Sequence, residues 1–108
     1  MMDMLIYTIR DATLQAGTRP MFFATQEQAV RAFSAAVSGG DQNMTENCDD
    51  FTLYKIGSFN DESQLITGHD PERVVTGFEA LAIAKRRQAK LESLNKEIQQ
   101  LNGVDHAE

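Results

Sequence analysis

One segment constrains this chain more than any other: Gly77 to Asn102 reads as a single helix opened by a capping box at Thr76 and Glu79. Its second half carries Leu91, Leu94, Ile98 and Leu101 at alternating three- and four-residue steps, the spacing that keeps one narrow stripe toward a partner helix. Its first half, Phe78 to Ala84, is apolar nearly all round and includes Leu81, so it should pack on a globular part. At 1.5 Å rise per residue the segment would span roughly 40 Å, longer than a domain of this size can cover. The far end is expected to project.

Between these halves lie Lys85, Arg86, Arg87 and Lys90, a basic stretch in a chain with 10 Lys and Arg against 16 Asp and Glu. A net charge of -6 disfavours coating nucleic acid through the whole surface, so any contact with phosphates must be local. The chain has 108 residues, which fits one domain with an extension. Its one cysteine, Cys48, leaves no internal disulfide and points to a reducing compartment, with cytoplasm as the expectation. No apolar run reaches membrane-spanning length, and no membrane partner is expected.

Met4 to Arg10 alternates, with Leu5, Tyr7 and Ile9 on one face and Ile6 and Thr8 on the other, and reads as a first strand. Pro20 to Phe23 is extended, with Phe22 and Phe23 read as core anchors. A capping box at Thr25 and Gln28 opens a helix carrying Ala29, Val30, Phe33, Ala36 and Val37, and Ser38-Gly39-Gly40 closes it. Asp41 to Asp50 lacks periodicity and reads as a mobile acidic loop. Phe51 to Phe59 and Gln64 to Thr67 flank turn residues and form a hairpin. The expected fold is α+β: a small three-stranded sheet covered by one helix, followed by the long C-terminal helix with its short coiled-coil-like seam. Residues 1–68 would be the compact domain, 69–76 a linker around Gly68-His69-Asp70-Pro71, 77–102 the helix and 103–108 a flexible tail.

Candidate chemistry is sparse. His69 and His106 have no companion at metal-ligand spacing, Cys48 has no evident base, and Glu46, Asp49 and Asp50 lack the ordered spacing of a calcium loop. Neither a catalytic residue, a metal nor a cofactor is assigned, and the chain is read as no enzyme. The candidate oligomer interface is Phe78, Leu81, Leu91, Leu94, Ile98 and Leu101. The candidate nucleic-acid contact is Lys85, Arg86, Arg87 and Lys90, extended by Arg31. The competing reading of the seam is a helix folded back on its own domain, and that of the basic stretch a solvated surface. Parallel and antiparallel pairing both stay open.

Tyr7-Thr8-Ile9-Arg10-Asp11, Pro20-Met21-Phe22-Phe23, Gln28 to Phe33 and Asp50 to Phe59, in that order and spacing, resemble the small nonstructural protein of gokushoviruses, the single-stranded DNA phages of the Microviridae. The resemblance covers roughly the first two-thirds of the chain. It implies a protein of the host cytoplasm, absent from the virion, assigned to viral DNA replication at the switch to single-stranded DNA synthesis. It transfers no catalytic residues. Together with the helix, it leads to the expectation of a self-associating protein that binds single- or double-stranded DNA weakly. Two alternatives stand beside it: an adaptor for a host or phage replication protein, and a scaffold-like oligomer without nucleic-acid contact.

Overall fold

A computed structural model describes the backbone of residues 3–106 and the side chains of residues 3–101. The chain runs β1 (Asp3–Asp11), β2 (Ala16–Gly17), β3 (Met21–Phe23), α1 (Gln26–Ala35), a π-turn (Ala36–Gly40), α2 (Gln42–Glu46), a 3-10 turn (Cys48–Asp50), β4 (Phe51–Asn60), β5 (Leu65–Thr76) and α3 (Gly77–His106). Among the described residues the sheet has five strands, not the three expected from the sequence, in the order β2-β1-β4-β5 with β3 also pairing β1. Every pairing is antiparallel.

Strict alternation in β1 divides the sheet. Tyr7 and Ile9 join Phe51 and Leu53 of β4 in the buried core, and Ala29, Phe33 and Val37 of the first helix and Ala80 of α3 close over them. Both helices therefore cover one face. Ile6, which is itself buried, Thr8 and Arg10 point to the other, where no helix of the described residues lies. At the end of the covered face the Tyr7 hydroxyl donates to Gln26 Oε1 at 3.2 Å, and burial, followed by the nearby Glu72 carboxylate, raises its pKa.

Local chemistry places the helix ends. Thr25 Oγ1 accepts from the Gln28 backbone N–H at 3.2 Å, while Gln28 Oε1 accepts from the N–H of Ala24 at 3.2 Å, one residue earlier than a strict capping box would have it. Gly39 closes the helix at φ 145, a conformation that residues with a Cβ rarely adopt. Asp41 then caps α2 by accepting from the Met44 N–H at 3.1 Å. The stretch read as a mobile acidic loop is thus one short helix and a 3-10 turn.

Asn60 shapes the β4–β5 turn, its Oδ1 accepting from the N–H groups of Glu62 (3.1 Å) and Ser63 (2.8 Å). Beyond the turn β5 continues to Thr76, so residues 69–76, expected as a linker, are the second half of an edge strand. Proline at 71 is tolerated there because an edge strand has one side with no ladder to donate to. α3 also outruns its expected end at Asn102-Gly103 and reaches His106, so the tail read over 103–108 is helical through His106, and its last two residues lie outside the described residues. The Cα radius of gyration is 18.2 Å, against about 13 Å for a compact chain near this length, and the longest extent is 62 Å. A projecting α3 accounts for the difference.

Candidate interaction surfaces

Two surfaces are left uncovered by the described residues: the outer part of α3, and one face of the sheet. α3 begins with reciprocal bonds, Glu79 N–H to Thr76 Oγ1 at 3.1 Å and Thr76 N–H to Glu79 Oε1 at 3.2 Å. The Arg73 guanidinium adds an ion pair to Glu79 Oε1 at 3.1 Å. Hydrogen bonds from the Thr76 backbone and hydroxyl, with Arg73 contributing less, hold the Glu79 carboxyl below its usual pKa. The capping box read from sequence is therefore complete, and it roots α3 where β5 ends.

Ala80 is fully buried, and Leu81, placed by sequence in the oligomer interface, is half-buried against the core of its own chain. Phe78, from the same expected interface, is 67% exposed. From Lys85 to Leu101 every residue is exposed. Leu91, Leu94, Ile98 and Leu101 are 55%, 45%, 53% and 73% accessible, large values for apolar side chains on one stripe. The basic residues Lys85, Arg86, Arg87 and Lys90 all stand in solvent at the start of this free stretch.

A groove of about 230 Å³ separates α1 from α3 where α3 leaves the domain, lined by Arg31, Ser34 and Ala35 on one side and Ala84, Arg87 and Leu91 on the other. The fold brings Arg31 to Arg87, two of the five basic candidates, and sets Leu91, the first residue of the apolar stripe, beside them. Lys85, Arg86 and Lys90 do not line it. Arg31 is partly engaged by Glu27, 3.0 Å away one helical turn earlier. Ser34 is 1% exposed, and its hydroxyl has no hydrogen-bond partner among the described residues.

The sheet's uncovered face holds residues that sequence reading did not assign to a site. Thr8, Arg10, Gly17, Thr18, Tyr54 and Pro71 line an open cleft of about 500 Å³. Register fixes the arrangement: Thr8 opposes Tyr54, which opposes Arg73, and Arg10 opposes Thr52, which opposes Thr76. Neither row contains a carboxylate. Thr18 is positioned by accepting the Ile9 N–H on Oγ1 at 3.0 Å. Along the same face Phe22 opposes Ile6 and meets Phe59 edge to face, with ring centroids 6.2 Å apart. Phe22 is 46% exposed, which corrects its reading as a core anchor. The signal was available in β1, where Thr8 and Arg10 alternate with the buried Tyr7 and Ile9.

Cys48 is half-buried and unpaired, and His69 lies exposed in β5 with Nδ1 2.7 Å from the Asp70 carbonyl. The side chain of His106 lies outside the described residues. Among the described residues no three His, Cys, Asp or Glu side chains gather as metal ligands, and no helix is long and apolar enough to cross a membrane. A family model described as phage ORF5 protein matches residues 4–80, the sheet, α1 and the root of α3. No curated protein and no solved structure matches.

Proposed function

Because the chain belongs to the phage ORF5 protein family, we propose that it is a nonstructural protein of the gokushovirus type, working in the host cytoplasm and not carried in the virion. It acts by occupancy and not by catalysis: copies associate through α3 and contact viral nucleic acid through Lys85, Arg86, Arg87 and Lys90, modulating viral DNA replication at the switch to single-stranded DNA synthesis. One observation carries this reading, the unbroken exposure of α3 from Lys85 to Leu101 with four large apolar residues at seam spacing. A free helix with such a stripe gains by burying it, and a second copy presents a matching stripe.

Association also makes the basic stretch useful. Four cations on one acidic subunit bind phosphate weakly, whereas two or more copies joined by the seam raise the effective concentration of those cations at one polymer. The test is Leu94→Arg, which puts a charge at the middle of the stripe. Light scattering should show an oligomer for the parent chain and a monomer for the variant. A parent chain that is monomeric at high concentration would overturn the self-association reading.

A further inference from the structure

We propose that the uncovered face of the sheet is a single-stranded DNA site, with Tyr54 stacking a base and Arg10 taking an adjacent phosphate. The proposal rests on the reading above that the chain meets viral DNA, and adds a second contact distant in sequence from α3. Three features of the face point to it. The cleft of about 500 Å³ lies within the range of sites that hold small organic groups, roughly 300–1,000 Å³, and is open to the side as a polymer requires. It joins an aromatic ring, a cation and hydroxyls, the combination by which single strands are held without sequence readout: every base has a stackable face and every link a charge.

The third feature is charge. In a chain where acids outnumber bases, the rows Thr8-Tyr54-Arg73 and Arg10-Thr52-Thr76 hold arginines and no carboxylate. Arg73 is committed to Glu79, which leaves Arg10 as the cation of these rows without a carboxylate partner among the described residues. The exposed ring of Phe22, two positions along β1 from Thr8 through its partner Ile6, continues the face as a second stacking surface. Duplex DNA offers no unstacked base to Tyr54, so the site should discriminate strongly for single strands.

The chain has two tyrosines and no tryptophan, and Tyr7 is fully buried, so tyrosine emission that responds to ligand reports Tyr54. Full-length protein would be titrated with a labelled oligothymidine of about 12 nucleotides, a duplex of equal length and an RNA of equal sequence, reading anisotropy and tyrosine quenching together. Expected is tightest binding to the single-stranded DNA with quenching, and affinity lowered about tenfold or more in Tyr54→Leu and Arg10→Gln, both checked for native unfolding temperature. The variant with Lys85, Arg86, Arg87 and Lys90 all changed to Ala should bind more weakly yet still quench at saturation. Equal duplex affinity in the variant lacking the four α3 cations, tighter RNA binding, absent quenching, or unaltered binding in Tyr54→Leu and Arg10→Gln would each overturn the proposal. If those two variants bind normally while the α3 variant does not, the sheet site fails and the α3 reading stands. The reverse pattern sinks the α3 contact and keeps this one.

Discussion

Gly77 sits so close to Cys48 that a Cβ built on the glycine would overlap the Cys48 carbonyl oxygen. The obstacle is backbone, so neither side can turn aside as a flexible side chain would. This contact ties the root of α3 to the 3-10 turn after α2. Gly77→Ala is expected to cost about 1–3 kcal/mol, as overpacking in a fitted site does. For a domain of this size each kcal/mol moves the unfolding temperature by about 4–8 °C. Thermal unfolding followed by circular dichroism checks it, and an unchanged midpoint would show that the turn yields freely.

The capping box makes stability at the α3 root depend on pH. Bonds from Thr76, and then the Arg73 charge, lower the Glu79 pKa from its ordinary 4.5, so the folded state favours the carboxylate more than the unfolded chain does. The contribution is therefore present above the ordinary value and disappears as pH falls through the lower folded value. Asp11, lowered chiefly by the Thr13 hydroxyl, acts in the same direction. Unfolding temperatures measured from pH 7 to pH 3 should fall less steeply in Glu79→Gln than in the parent chain, which retains both carboxyls. Parallel curves would remove Glu79 from the acid response.

Ser34 is a different case, a buried hydroxyl without a partner among the described residues, on the helix that closes the core. Burying an unbonded hydroxyl is unfavourable, and alanine is the better helix former. Ser34→Ala is expected to stabilise by about 1 kcal/mol and to raise the unfolding midpoint. A lower midpoint would mean that the hydroxyl has a partner in solution, and the groove beside Arg31 and Arg87 is where to look for it.

Much of this architecture is legible because the residues that set it act locally. Thr25 and Thr76 start helices through bonds to groups three residues on, and the alternation of Leu5, Tyr7 and Ile9 names the covered face of β1 before any partner strand is known. What escaped depends on distant groups. Residues 69–76 contain a proline and read as a break, and only their place on a sheet edge makes them strand. The two residues of β2 are too few to show a period. Phe22 is aromatic and flanked by Phe23, yet its position opposite Ile6 sends it to the uncovered side. The same holds for the candidate surfaces: the apolar stripe of α3 is a linear pattern, whereas the cleft between Arg10 and Tyr54 joins strands far apart in the chain.

Salt should separate the two activities attributed to α3. Pairing through Leu91, Leu94, Ile98 and Leu101 would bury apolar surface and would not be weakened by screening, while contact between Lys85, Arg86, Arg87, Lys90 and phosphates would release counterions and would be. If each of the four cations neutralises one phosphate of a single strand, affinity scales with salt to about the power -2.8, so raising salt from 50 to 200 mM lowers it roughly fiftyfold. Over the same range the oligomer mass should hold constant. Light scattering and anisotropy on one sample read both quantities. A mass that falls together with DNA retention would mean that charge, and not the leucine stripe, holds the copies together. Retention that ignores salt would show that the four basic residues do not carry the contact.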